Sequence, residues 1–263
     1  MIVEQIWTGN SFRNFNYLVA CPNTGEALAI DPLDYRKCLD AAESMGWRIT
    51  QILNTHEHGD HTGGNYNMIE ATGAKLLAHE NAKEKIDGID IGLKAGDVVK
   101  VGKSVELLVL DTPGHTMAHV CLLSQTDIPA LFSGDTLFNA GAGNCHNGGH
   151  PVQLYETFIN QLAKLAEDTL IYPGHDYMSN NLEFTLAREA DNSSARALLS
   201  KIEDQDPNNP LVSSLALEKE INTFFRLRSP SLVRQLIKDF PDLGDNPDPE
   251  TVFLKLRELR NSW

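Results

Sequence analysis

The feature that most constrains this chain is a dense run of metal-binding side chains directly after an apolar segment. Residues 55–61 read Thr-His-Glu-His-Gly-Asp-His, and the apolar residues of 49–53 before them predict a short strand. Imidazole and carboxylate groups suit zinc, iron and manganese. A His-x-His pair leaving a strand can aim two rings at one ion, and the Asp-His that follows can reach another. The run therefore predicts a metal site, with two ions, at the end of a strand.

Three further candidate ligands lie in later loops. They are His115 in Pro-Gly-His-Thr, Asp135 in Gly-Asp-Thr, and His175 in Pro-Gly-His. Each follows an apolar, strand-like segment and sits beside a glycine, which permits the tight backbone that lets a loop approach an ion. One such residue alone would be an ordinary polar loop residue. Together they predict that several strand ends contribute ligands.

The hydrophobic pattern predicts an α/β fold. Residues 17–20 and 27–30 are expected to form a hairpin around the turn at 22–25, and residues 35–46 carry apolar side chains at helical spacing. Further strands and helices alternate along the chain, which is typical of α/β proteins. The additional predicted strands are 75–78, 98–101, 105–110, 120–123 and 130–133, and the additional helices are 62–72 and 154–166.

The pattern changes after residue 174, where helical periodicity replaces strand-like segments. Helices are expected near 182–189, 193–204, 213–225, 231–238 and 249–260. We therefore predict a catalytic α/β domain over residues 1–174 and an all-helical, substrate-binding domain over residues 175–263.

The histidine and aspartate motifs resemble those of the metallo-β-lactamase superfamily. His-x-His-x-Asp-His, Gly-His-Thr, Gly-Asp-Thr and Gly-His follow one another in the family's order across residues 55–175. The resemblance implies an αββα sandwich holding two divalent ions, zinc first, with iron or manganese as alternatives. It also implies catalytic roles for Asp60 and Asp135. The implied ligands are His56, His58 and His115 for one ion, Asp60, His61 and His175 for the other, and Asp135 as a bridge.

Metal binding of this kind implies hydrolysis without a side-chain nucleophile. A bound metal lowers the pKa of water from 15.7 to about 7, so a bridging hydroxide is available at neutral pH to attack a carbonyl. A thiolate whose pKa is about 8.5 leaves without needing an acid. Thioesters therefore suit such a site.

Within the superfamily, the chain most resembles glyoxalase II. The resemblance is carried by Gly134–Phe138, Gly174–Tyr177 and Asn180–Phe184, and by the helical C-terminal region. It implies hydrolysis of S-2-hydroxyacylglutathione, such as S-lactoylglutathione, to glutathione and a 2-hydroxy acid. The implied substrate-binding residues are Tyr177, Asn181 and Arg226, and the loop residues Asn144 and His146 are further candidates for lining the substrate.

This sequence departs from the glyoxalase II pattern at two positions. Asn144 stands where the family has a basic residue, and Pro230 stands where it has a lysine. We therefore expect weaker selectivity for glutathione. Alternative functions are a mononuclear iron enzyme resembling glutathione persulfide dioxygenase, a hydrolase of another ester, lactone or thioester, and a non-catalytic metal-binding module.

Charge and cysteine content narrow the possible partners. A net charge of −14 disfavours nucleic acids and anionic membranes as partners, so we expect a small-molecule substrate. We also expect a monomer or weak homodimer. The first residues lack the pattern of a secretory signal, which predicts a cytoplasmic location. Cys21, Cys38, Cys121 and Cys145 lack disulfide or zinc-thiolate spacing and are interpreted as free thiols. His79 and His119 are interpreted as structural, and the roles of Cys145, His146 and His150 stay open.

Overall fold

The computed structural model describes residues 1–126 and 128–263. The chain forms two compact units and passes between them several times. Unit 1 comprises Met1–Thr112, Ala118–Gly134 and Tyr172–Asp176, and unit 2 comprises Pro113–Met117, Asp135–Ile171 and Tyr177–Trp263. The domain boundary between residues 174 and 175 stays a prediction.

Strands and helices are mixed up to residue 173, as the hydrophobic pattern predicts. The strands are β1 Ile2–Trp7, β2 Phe15–Ala20, β3 Glu26–Ile30, β4 Arg48–Leu53, β5 Lys75–His79, β6 Ile91–Leu93, β7 Val98–Val101, β8 Val105–Asp111, β9 Val120–Ser124, β10 Ala130–Gly134, β11 Leu137–Phe138, β12 Gly141–Ala142, β13 Leu170–Pro173 and β14 Ser213–Ser214. The helices are α1 Tyr35–Ser44, α2 Gly59–Thr62, α3 Asn65–Thr72, α4 Pro151–Asn160, α5 Met178–Arg188, α6 Ser193–Lys201, α7 Leu215–Ile221, α8 Pro230–Asp239 and α9 Pro249–Asn261.

The first sheet of unit 1 has the order β1-β2-β3-β4-β5-β6. Strands β2 and β3 pair antiparallel, with Tyr17 opposite Ile30, so the predicted hairpin is confirmed. Strands β3 to β6 run parallel to one another. Their carboxyl ends therefore lie at one edge, and the His56 loop leaves from that edge because it follows β4.

The second sheet of unit 1 contains the antiparallel order β10-β9-β8-β7. Aromatic side chains join the two sheets, since the rings of Tyr17 on β2 and Phe132 on β10 lie 5.5 Å apart, edge to face. Tyr172 stacks on Phe132 with 5.2 Å between ring centroids. The two sheets thus pack face to face around an apolar core.

Helices α1 and α3 cover the outer face of the first sheet. Helix α1 begins at Asp34, whose carboxylate accepts a hydrogen bond from the Lys37 amide, and it buries Cys38 and Ala42 against the strands. Met68 of α3 joins the same apolar cluster. Both helices follow from apolar spacing and local capping.

Unit 2 is mainly helical in its C-terminal part. The predicted helices are present as α5 to α9, and the longest, α9, begins at the capping residue Asp248. Phe158, Phe224 and Phe253 form the fully buried aromatic core of this region. Among the residues described after Pro173, the strand content is limited to two-residue β14, which pairs with the start of β13. No helix in the described part of the chain combines the length and apolar character needed to cross a bilayer.

Candidate metal centre and substrate pocket

Three predicted ligands of unit 1 converge on one point. The Nε2 atoms of His61 and His175 lie 3.2 Å apart, and Asp60 Oδ2 lies 3.6 Å from the first and 3.4 Å from the second. His61 and His175 are buried, whereas Asp60 is partly exposed. This is the arrangement of ligand atoms around a shared ion.

Hydrogen bonding on the far side of each ring fixes which nitrogen faces this point. His175 Nδ1 donates to the carbonyl of Phe12 at 2.7 Å, and His61 Nδ1 lies 3.0 Å from Asp31 Oδ2, so it donates to that carboxylate. In its neutral form, each ring therefore turns the lone pair of Nε2 toward the other ring. Two lone pairs and a carboxylate converging at this distance repel one another unless a cation lies among them. The donor set thus fits a divalent metal.

The other two histidines of the run adopt a related arrangement. His56 Nε2 and His58 Nδ1 lie 3.0 Å apart. The Thr55 hydroxyl donates to Asp31 at 2.7 Å and lies 3.0 Å from His56 Nδ1, so it accepts the proton of that nitrogen. In the neutral His56 ring, Nε2 consequently carries the lone pair that can bind a metal ion. Asp31 thus supports two predicted ligand rings, His61 directly and His56 through the Thr55 hydroxyl.

Unit 2 brings the remaining two predicted ligands together. His115 Nδ1 donates to the carbonyl of Asn144 at 2.6 Å, which leaves Nε2 as the ligand atom, 3.4 Å from Asp135 Oδ2. Gly143 makes this approach possible, because a Cβ there would lie 1.8 Å from the Asp135 carbonyl oxygen. The predicted ligands therefore lie close together within each unit, five of them in unit 1 and two in unit 2.

His79 and His119 have other partners. His79 caps a short 3₁₀ turn by accepting from the Asn81 amide at 3.0 Å. His119 is fully buried, lies 2.9 Å from the Thr112 hydroxyl through Nδ1 and stacks on His56 at 5.2 Å. His119 thus supports a predicted ligand from behind.

A cavity of about 310 Å³ lies in unit 2, and two arginines supply its charge. Three predicted substrate residues, Asn144, His146 and Tyr177, contribute to its wall. Among the described lining residues there is no acidic side chain. The lining is Phe138, Ala142, Asn144, His146, Tyr177, Asn180, Arg257, Arg260, Asn261 and Trp263.

The two arginines of this cavity are not among the residues predicted from the sequence to bind substrate. Arg257 donates to the carbonyls of Ala142 at 2.6 Å and Gly143 at 2.8 Å, and Arg260 donates to the side-chain oxygen of Asn181 at 3.1 Å. Burial lowers the pKa of Arg257 to about 10 and lowers that of Arg260, so both stay cationic at neutral pH. Their spacing of three residues on α9, which places both on one helix face, was the available signal.

The other two predicted substrate residues, Asn181 and Arg226, are not among the lining residues of this cavity. Asn181 donates to the carbonyl of Asn139 at 2.9 Å and holds Arg260, so it acts behind the cavity wall. Arg226 lines a separate cavity of about 510 Å³, and its guanidinium donates to both oxygens of the buried Glu189 at 2.9 to 3.2 Å. The structure therefore does not bring Arg226 together with Tyr177, and its contact with substrate stays a prediction.

Comparison with known proteins agrees with this architecture. A family model described as Metallo-beta-lactamase superfamily matches residues 20–175, and one described as Hydroxyacylglutathione hydrolase C-terminus matches residues 176–263. Among solved structures, ETHE1 from Myxococcus xanthus is 25% identical with a TM-score of 0.69, covering 100% of this chain and 99% of that chain. The BLEG-1 B3 metallo-beta-lactamase is 20% identical with a TM-score of 0.66, covering 85% and 99%.

The packed sheets, the histidine and aspartate cluster and the first family model together define a protein of the metallo-β-lactamase superfamily, so the predicted fold is confirmed. Relatives named hydroxyacylglutathione hydrolase from Nitrosococcus oceani and Polaromonas sp. are 67% and 66% identical over 263 residues, with 100% of both chains covered in each case. This chain belongs to the hydroxyacylglutathione hydrolase family. The predicted family is thus confirmed as well.

Proposed function

We propose that this chain hydrolyses the thioester of an S-2-hydroxyacylglutathione, such as S-lactoylglutathione, to glutathione and a 2-hydroxy acid. The observation that carries the proposal is the cavity lined by Arg257 and Arg260 with no acidic side chain among its described lining residues, in a chain of net charge −14. Glutathione bears two carboxylates, and this cavity offers two cations to receive them. The names of the relatives at 67% and 66% identity support the same activity.

The proposed cofactor is a pair of divalent ions, with zinc first and iron or manganese as alternatives. His56, His58 and His115 would hold one ion, Asp60, His61 and His175 the other, and Asp135 both. Imidazole and carboxylate donors suit these metals, and seven ligands exceed what one four-coordinate or six-coordinate ion uses. When bound, the ions supply a hydroxide at neutral pH and polarise the thioester carbonyl.

The chain's own residues would bind and orient the substrate. Asn144 contacts both the cavity and a predicted metal ligand. It lines the cavity, and its carbonyl accepts the Nδ1 proton of His115. A glutathione moiety held by Arg260 and Arg257 would therefore lie beside a predicted ligand. The leaving thiolate needs no proton donor, since its pKa is about 8.5.

Metal analysis and a substrate panel test the proposal together. Metal-loaded wild type is expected to contain close to two ions per chain and to hydrolyse S-lactoylglutathione faster than lactones or β-lactams. Asp135→Ala is expected to lose ions from both sites and to lower kcat/KM by at least about a hundredfold, because removing a shared ligand disturbs the charge that both ions provide. One ion per chain at saturation with full thioesterase activity would contradict the two-ion centre.

The expectations about partners, oligomeric state and cellular location rest on the sequence alone. The absence of nucleic-acid and membrane partners, a monomer or weak homodimer, and a cytoplasmic location stay predictions.

A further inference from the structure

The turn between β11 and β12, which follows Asp135, has an unusual backbone. Ala140 adopts a φ of +57°, in the left-handed region that non-glycine residues seldom occupy. Asn139 and Ala140 are both buried. A strained, buried turn of this kind persists only when its surroundings over-determine it.

One carboxylate, Glu218 on helix α7, holds this turn. The Ala140 amide donates to Glu218 Oε2 at 2.8 Å, and the Asn139 amide group lies 3.4 Å from Oε1. Asn139 also donates to the Ser213 hydroxyl at 2.7 Å, and that hydroxyl donates in turn to Oε1 at 2.7 Å. Glu218 therefore binds the turn both directly and through Ser213.

The hydrogen-bond donors around Glu218 favour its charged form. The side chain is fully buried, and burial raises the pKa of Glu218, while hydrogen bonds from Ser213, Asn222, Ala140 and Asn139 oppose that change. Asn222 supplies its donor at 3.1 Å from Oε2. The Ala140 amide and the Asn222 amide group both donate to Oε2, so a proton on that oxygen would find no acceptor, and a proton on Oε1 would displace the hydrogen bond that Ser213 donates.

The turn leads directly to the atom that orients a predicted ligand. Asn222 donates to the Gly141 carbonyl at 3.0 Å, and Arg257 donates to the Ala142 and Gly143 carbonyls. The next residue is Asn144, whose carbonyl accepts the Nδ1 proton of His115. Only three residues, 141–143, thus separate the residue that Glu218 contacts from the residue that His115 contacts.

We propose that Glu218 is a positioning residue for the metal centre: it fixes the β11–β12 turn, and the turn places the Asn144 carbonyl that aims His115 at the metal. The inference rests on the proposed ligand role of His115. A purely structural glutamate would stabilise unit 2 to the same extent with and without metal, whereas a positioning residue stabilises the metal-bound form more.

The test compares Glu218→Gln with Glu220→Gln, an exposed glutamate on the same helix. In Glu218→Gln an NH2 group replaces one of the two acceptor oxygens, so the hydrogen bonds that Ser213 and Asn139 donate to that oxygen are lost and the turn is held less firmly. We expect zinc affinity, measured by chelator competition, to fall about ten- to a hundredfold, the size typical of groups that support metal ligands. The rise in Tm on adding zinc should shrink accordingly, and kcat should fall more than KM. Glu220→Gln should match wild type in all three measurements.

A milder variant covers the case in which Glu218→Gln does not fold. Ser213→Ala keeps the charge and removes one donor, and we expect zinc affinity to fall in the same direction by about three- to tenfold. The proposal is overturned if a folded variant binds zinc as wild type does while the Tm of the apo and zinc-loaded forms falls equally. Failure of wild type itself to bind zinc or to cleave thioesters would instead reject the proposed function.

Discussion

Arginine side chains in two parts of unit 2 differ in what neutralises them. Both oxygens of the buried Glu189 accept from Arg226, so that the positive charge is cancelled where it lies. Arg257 and Arg260 donate instead to backbone carbonyls and to the amide oxygen of Asn181. These neutral acceptors satisfy hydrogen bonds without removing charge. The partner of an arginine, more than its place in a motif, therefore decides whether it can attract an anionic substrate.

The largest effect expected from this comparison is that of Arg260→Ala. The change removes a partly buried cation from the cavity, and a charge-assisted contact is worth about 1.5–3 kcal/mol, so KM for S-lactoylglutathione should rise about ten- to a hundredfold. The effect should fall on KM because the contact is remote from the reacting carbonyl. Steady-state kinetics test this, with Arg234→Ala as a control that removes the same charge from an exposed helix position. An equal KM for both variants would remove Arg260 from the substrate site.

Asn144→Lys is expected to change KM by a smaller factor and in the opposite direction. The lysine would add a third cation to the cavity, where the glyoxalase II pattern has a basic residue, and KM for acyl-glutathione should fall about three- to tenfold. The same acyl group on a short, uncharged thiol should keep its KM. Asn144→Gln, which lengthens the side chain without charge, is the matched control. A parallel change for both thiols would show that charge recognition is not involved.

The smallest effect on substrate binding is expected from Arg226→Ala. Because Glu189 already neutralises Arg226, KM should change less than about threefold, while the unpaired buried carboxylate should lower the free energy of unfolding by about 1–3 kcal/mol. Denaturant unfolding and kinetics on one preparation separate the two effects. A tenfold rise in KM with unchanged stability would return Arg226 to the substrate site and reverse the comparison.

The features predicted correctly from the sequence are those in which side chains of one chemical type recur at a regular local spacing. The ligand candidates could be proposed because imidazoles and carboxylates are concentrated in 55–61 and recur beside glycines at strand ends. The hairpin β2–β3 and the strands β7 to β10 followed from their apolar patterns. Two-residue strands such as β11 and β12 are too short to produce any periodic signal.

The substrate cavity was harder to predict from the sequence, because the charge of an arginine side chain is neutralised or kept by residues that lie far away in the sequence. Glu189, which neutralises Arg226, lies 37 residues away in the sequence, and the carbonyls held by Arg257 lie 114 and 115 residues away. Nothing local in the chain marks which arginine meets a carboxylate and which meets a carbonyl. Charge pairing of this kind is decided by tertiary packing.

The Glu218 network also has a consequence for how unit 2 folds. Its members come from three separated stretches of chain, Asn139–Ala140, Ser213 and Glu218–Asn222, and a buried carboxylate missing any of their donors would be costly. The hairpin and α7 should consequently order in one cooperative step rather than one after the other. The Ala140 amide, sealed by Glu218, is then a reporter: its hydrogen exchange should require the opening of the whole helical unit and not a local loosening of the loop.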